Sequence, residues 1–373
     1  MRSYRISTNY KRMKSKIVQL ASSLLLLICI ISCNSQEENS TIIRINNENY
    51  SEWEKLISID DLCPLELTDR TYLSYARKCL VTPAYIYYWD PKSERVLIFS
   101  RDGKYRCDIS GKGRSVSEYV NISDIALGEK DSVFVILDDR GIMRFDAASG
   151  DYIGREKIPV EKAQILSKIL PIGNGEYLFS VSLMRNEFSI EKYKDGKFQG
   201  LRKKKRYPYG VDRFYRYGGD IRVVSDFGDF YIDTYRDGRL FKEYVLDLGD
   251  KALPDDVRPQ TYKEFDAVFN GKDYHQCIMD AHETSAWLCF SLGGLNNMSY
   301  NVFYNKTTKN VYCGRMGQQV GLFVIDVEED NFIAMIYPDF VPDDSFLKTV
   351  LKAKGLDEYQ NPVIAKIRIH ESH

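Results

Sequence analysis

Apolar and polar residues alternate along most of this chain in short runs, and the runs come in groups. The first group reads Tyr85–Trp89, Val96–Phe99, an Asp102-Gly103 turn, and Tyr105–Ile109. In the last run Tyr105, Cys107 and Ile109 alternate with Arg106 and Asp108, the period of a half-buried strand. Asp-Gly supplies the positive φ of a tight hairpin. The same order returns as Val133–Leu137, Ile142–Phe145, Ser149-Gly150 and Tyr152–Ile158. It returns again as Tyr177–Val181, Phe188–Tyr193, Asp195-Gly196 and a strand from Lys197. A fourth group is Ile221–Val224, Phe230–Ile232, Asp237-Gly238 and Leu240–Leu246. The turn glycines 103, 150, 196 and 238 are 47, 46 and 42 residues apart, the interval of a propeller blade.

Two further groups complete the count. They are Ala286–Phe290, Tyr300–Tyr304 and Val311–Cys313, then Leu322–Ile325, Phe332–Ile336 and Val363–Ile369. Residues 250–278 read as an insert between the fourth and fifth groups. Within the last group a short helix is expected over Ser345–Lys354, capped by Asp344 and stopped by Gly355, with Phe346, Leu347, Val350 and Leu351 as its apolar face. Thr41–Ile45 is a spare strand, expected to pair with the last blade and close the ring. The fold class is therefore all-β, a six-bladed β-propeller over residues 41–373 with one short helix in the last blade. A β-sandwich rarely needs so many evenly spaced strand groups.

The N-terminus follows a different rule. Six basic residues and no acid fill positions 1–16, and the apolar run Ile17–Ile31 leads to Ser32-Cys33. Fifteen residues, with Gln19, Ser22 and Ser23 among them, fall short of the ~20 that span a bilayer. A basic segment, a short apolar segment and a small residue before the cut make a secretory signal, and the cysteine makes it a lipoprotein signal. Residues 1–32 are thus expected to be removed, Cys33 to carry the lipid, and residues 33–40 to form a short tether. The expected address is a lipid-anchored outer membrane, on its periplasmic or cell-surface face.

Composition agrees with strands: 27 Tyr and 18 Phe are more than a helical bundle needs. Without residues 1–32 the chain has 46 Lys and Arg against 53 Asp and Glu, a net of −7. That balance argues against a nucleic-acid partner. The basic run Arg202–Arg206 reads as a solvated loop between strands. Of the eight cysteines, Cys29 and Cys33 belong to the signal. The other six, Cys63, Cys79, Cys107, Cys277, Cys289 and Cys313, form no C-x-x-C pair, and buried thiols are favoured over bridges.

Candidate chemistry is sparse. Histidine occurs only at His275, His282, His370 and His373. No G-x-S-x-G elbow or phosphate-binding loop is present. The cluster Asp273–Glu283 reads as a polar loop between blades; if it held a metal, Asp280, His282 and Glu283 would be the ligands or the general base. No cofactor is implied.

Four stretches resemble the six-bladed β-propeller lipoproteins, NHL-like or TolB-like, of gut-type diderm anaerobes. They are Cys63-Pro64-Leu65-Glu66-Leu67-Thr68, Asp102-Gly103-Lys104-Tyr105, Gly111–Tyr119 followed by Ile122-Ser123-Asp124-Ile125, and Asn361-Pro362-Val363-Ile364. The family's Gly-Pro-Gly is Ser115-Val116-Ser117 here, so that turn must differ. The resemblance implies a fold and a location, not a reaction. The expected function is that of a monomeric binding module for a glycan, peptide or protein, and not an enzyme. The alternative is a lactonase-like hydrolase or lyase with a divalent metal in the central channel.

Overall fold

A computed structural model describes residues 40–49, 53–109, 111–128, 130–182, 186–204, 211–225, 227–259, 261–270, 273–315 and 320–371. The signal segment, Cys33 and the expected tether up to residue 39, His373, and residues 205–206 of the basic run lie outside the described residues. Each blade is a four-stranded antiparallel sheet whose first strand lies innermost.

Two strands precede the blades, β1 (Thr41–Arg44) and β2 (Ile57–Pro64). Blade one holds β3 (Lys78–Val81), β4 (Tyr85–Asp90), β5 (Arg95–Ser100) and β6 (Tyr105–Ile109). Blade two holds β7 (Ile122–Leu127), β8 (Val133–Asp138), β9 (Gly141–Asp146) and β10 (Tyr152–Lys157). Blade three holds β11 (Leu166–Gly173), β12 (Glu176–Val181), β13 (Phe188–Lys194) and β14 (Lys197–Lys203). Blade four holds β15 (Arg213–Tyr217), β16 (Asp220–Val224), β17 (Tyr231–Arg236) and β18 (Arg239–Asp247). Blade five holds β19 (Cys277–Glu283), β20 (Trp287–Gly293), β21 (Ser299–Asn305) and β22 (Val311–Arg315). Blade six holds β23 (Leu322–Glu328), β24 (Asn331–Ile336) and β25 (Val363–Ile369), with β2 as its outer strand.

Each innermost strand touches the next, and β23 touches β3, so the six form a closed ring. The core lies between the blades, with one apolar cluster at every junction. Tyr87 and Phe134, for example, stack 5.0 Å apart across blades one and two. Such burial is the main force holding the ring closed.

Closure differs from the sequence expectation. The strand that completes blade six is β2, paired from Ile57 opposite Ile369 to Pro64 opposite Val363. Thr41–Arg44 instead pairs in parallel with the outer edge of β18 in blade four and buries Ile43 there. The clean alternation of Thr41–Ile45 marks a strand, but alternation carries no information about its partner. In β2 a bulge between Ile59 and Asp61 interrupts the period and hides the true closing strand.

Among the described residues three α-helices lie outside the sheets, α1 (Val160–Ala163), α2 (Tyr262–Phe269) in the insert, and α3 (Phe346–Ala353) in blade six, beside five short 3-10 turns. The last is capped by Ser345 rather than Asp344, its side chain accepting from Lys348 N at 3.1 Å. Leu347 and Leu351 are buried, whereas Phe346 faces solvent. All six described cysteines are free thiols. Arg202 is a further correction: it is no loop residue but a buried strand residue, donating to Asp212 at 2.9 Å and Asp233 at 2.5 Å.

Candidate site in the central channel

The ring of innermost strands encloses a cavity of about 840 Å3. At four of these strands the pairing register shifts immediately before a charged residue: Asp124, Lys168, Asp280 and Asp326. A bulge adds one residue and re-aims the side chain that follows. In the other two, the charged residue is the first of the strand, Lys78 or Arg213. Every blade therefore contributes at least one charge to the channel wall, where further charged residues such as Arg77, Asp131, Arg216 and Glu328 also lie.

Five of these charges stand at one level. Lys78, Asp124, Lys168, Arg213 and Asp280 each oppose the fifth residue of the neighbouring strand, namely Trp89, Leu137, Ser180, Val224 and Ser291. In blade six that level is held by Phe323, opposite Met335. Asp326 lies at the level of His282, since the two oppose the third residues Ile333 and Cys289.

The two halves of this girdle differ in how their charges are met. Asp124 is fully buried and accepts from Lys78 Nζ at 3.1 Å, Lys168 Nζ at 3.3 Å and Ile169 N at 3.1 Å. Burial alone would raise its carboxyl, but the two lysines hold it below the usual carboxylate range. Burial also lowers the Lys168 ammonium, against the opposing pull of Asp124. Arg213 is left without an ion pair among the described residues, its one hydrogen bond reaching Ile278 O at 3.5 Å. Across the channel, Asp326 accepts only backbone N–H groups, from Val327 at 2.8 Å and Val81 at 3.4 Å. Burial pushes its carboxyl up. Asp280 has a half-open side chain, with His282 Nε2 at 3.6 Å. Burial works against the charge of both partners. Their mutual attraction wins, lowering Asp280 and raising His282.

Beside the channel wall, Tyr75 stacks on Tyr337 at 5.0 Å and meets Phe323 edge-on at 5.4 Å, with Phe340 at 6.5 Å. Tyr75 is 47% exposed and Phe340 36%. Tyr75 and Phe323 both line the cavity, so an aromatic platform adjoins the charged girdle.

The three residues singled out by sequence all line the cavity, but Glu283 has a different setting from the other two. Asp280 and His282 belong to β19, an innermost strand rather than the loop expected for this stretch. Glu283 is buried between blades four and five. It accepts from Arg222 Nε at 3.1 Å, Tyr215 at 3.2 Å, Tyr244 at 2.6 Å and Lys306 Nζ at 3.1 Å. All of its acceptor capacity is occupied by the protein. Among the described residues, no three His, Cys, Asp or Glu side chains are grouped to hold a metal ion.

Of the motifs that carried the family resemblance, Ile122-Ser123-Asp124-Ile125 brings Asp124 to the channel, whereas Cys63–Thr68, Asp102–Tyr105 and Asn361–Ile364 lie at the closing seam. Leu65 N donates to Pro362 O at 3.1 Å, and Glu66 N to Gly103 O at 2.8 Å. Asn361 Nδ2 donates to the carbonyls of Leu65, Glu66 and Thr71 at 3.3, 2.9 and 2.7 Å, while its Oδ1 accepts from Leu73 N at 3.0 Å. A Cβ at position 103 would collide with the Pro64 carbonyl, and Gly103 has φ +82°. At Ser115-Val116-Ser117 no residue has positive φ; Arg155 holds that loop through Val116 O at 3.4 Å and Glu118 O at 2.8 Å.

Ring, seam and lined channel together define the class of protein, a six-bladed β-propeller with a polar central cavity. The chain belongs to the family described as Domain of unknown function (DUF4934), which matches residues 36–368. No curated protein matches it. Among solved structures it is similar to a Bacteroides fragilis protein named as exported. They share 15% identity and a TM-score of 0.70, and the match covers 89% of this chain and all of the other. A member of the DUF4221 family from Bacteroides vulgatus is similar at 9% identity and TM-score 0.60, covering 85% and 98% of the two chains. Likeness at such identities speaks to the fold alone.

Proposed function

We propose that this protein is an exported, lipid-anchored binding module that takes an unidentified glycan, peptide or protein partner through its central channel. The observation that carries the reading is the channel itself, about 840 Å3 lined by at least one charge from each blade and flanked by an aromatic platform. That volume is typical of ligand pockets. Convergent polar groups against apolar walls give orientation and specificity without requiring a reaction. Residues 1–33 support the address, as does the export named for the Bacteroides fragilis relative. The NHL-like lipoprotein character belongs to this same reading.

Two experiments test it. Replacing Cys33 with Ser should release the protein from the membrane fraction, and unchanged acyl labelling would overturn the anchor. Partners captured by the lipidated protein on intact cells should be lost with Arg213→Ala and Phe323→Ala together. Capture that survives both substitutions would move the binding surface away from the channel.

A further inference from the structure

We infer that the channel takes a dipolar ligand, a free α-amino acid or short peptide bearing both an ammonium and a carboxylate. This rests on the binding-module reading above and adds to it the chemical class of the ligand. The girdle is not a general polar lining, because its unmet charges are separated by sign. In blades one to three, two lysines share the single carboxylate of Asp124, which leaves one cation in excess. Arg213 of blade four adds a second cation with no ion pair among the described residues. In blades five and six, two carboxylates, Asp280 and Asp326, share the single imidazole of His282, which lies 3.6 Å from Asp280. Asp326 otherwise meets only backbone N–H groups. One anion is left in excess, with Arg213 the next cation to reach Asp280.

A neutral sugar offers no charge to either group. An anionic sugar or phosphate would satisfy the cations and be repelled by Asp280 and Asp326. A ligand of both signs satisfies the two sides at once, its carboxylate toward Arg213 and Lys168 and its ammonium toward Asp280 and Asp326. Guanidinium–carboxylate pairing of this kind is directional as well as strong. Phe323 occupies the sixth position of the charged level and, with Tyr75 and Tyr337, gives an apolar side chain a surface on which to pack.

Calorimetric titration of the mature chain tests the assignment with four probes. L-Phenylalanine and glycyl-L-phenylalanine carry both charges, N-acetyl-L-phenylalanine lacks the ammonium, and phenethylamine lacks the carboxylate. At least one dipolar probe should bind with 1:1 stoichiometry, and each singly charged probe at least tenfold more weakly. Arg213→Ala should weaken the dipolar probe at least tenfold without changing phenethylamine, and Asp326→Asn should do so without changing N-acetyl-L-phenylalanine. Equal binding of dipolar and singly charged probes would overturn the inference. So would the absence of dipolar binding in a protein whose channel substitutions still abolish partner capture, and in that case the binding-module reading survives. If channel substitutions leave capture unchanged and no probe binds, both fall.

Discussion

At the seam between β2 and β25, Asn361 is fully buried and each of its polar atoms is matched: three carbonyls for its amide, one backbone N–H for its oxygen. In the channel, Arg213 has no ion pair among the described residues, and Asp326 accepts only backbone N–H groups, with the His282 imidazole, already paired to Asp280, as a cation within electrostatic reach. Both regions use polar groups removed from bulk water. The seam uses them to fix one geometry, and completeness is what a structural role demands. The channel leaves them incomplete, an arrangement that costs stability and is the one the proposed ligand site calls for.

Removing strands separates the two most sharply. Deleting Ile57–Pro64 should abolish cooperative melting, because blade six loses its outer strand and β25 becomes an open edge. Deleting Thr41–Arg44 should only lower the melting temperature by a few degrees, since it strips an added edge strand from a blade already complete with four. Equal losses from the two deletions would erase the distinction between closing strand and appendage.

Side-chain removal comes next. Glu283→Ala should cost about 3–5 kcal/mol in chemical denaturation, leaving Arg222 and Lys306 facing one another across a buried void. Asp280→Ala, three residues away on the same strand, should cost no more than about 0.5 kcal/mol. A titration provides a third comparison. Burial, reinforced by nearby Lys251, pushes the His275 imidazole down to about 4 from its ordinary 6.5. The unfolded chain therefore binds the extra proton first. Stability should be full above about pH 6.5 and fall as the pH drops toward 4, by an amount on the order of 3 kcal/mol. His275→Asn should flatten that slope. Asn361→Ala should cost about 2 kcal/mol by orphaning several buried backbone groups at the seam.

Much of the ring was legible in the chain. The outer strands alternate, and turns such as Asp195-Gly196 and Asp237-Gly238, both residues at positive φ, recur at blade intervals. The innermost strands were harder to see. Lys78, Lys168 and Arg213 went unrecognised because β3, β11 and β15 are short or bulged, and a charge inside an apolar run looks like the end of a strand. Asp124 was quoted only as part of a family motif. Its role depends on lysines 46 and 44 residues away, which no local pattern contains. The missed signal was a recurring one, a charge within the apolar run that opens each blade. The other conspicuous motifs, Cys63–Thr68, Asp102–Tyr105 and Asn361–Ile364, pointed to the seam, where glycine, proline and asparagine are needed for backbone reasons.

The stability of Asp326→Asn at neutral pH, from its denaturation midpoint against the parent, addresses the contrast most directly. The carboxyl is pushed up by burial, so its ionised form opposes folding, whereas an amide keeps an acceptor for Val327 N and sheds the charge. If the channel charges serve a ligand at the expense of the fold, the variant should gain about 0.5–2 kcal/mol, the range typical of relieving a strained functional site. A loss of about 1 kcal/mol or more would show that Asp326 is structural, and the channel would then be no different in kind from the seam.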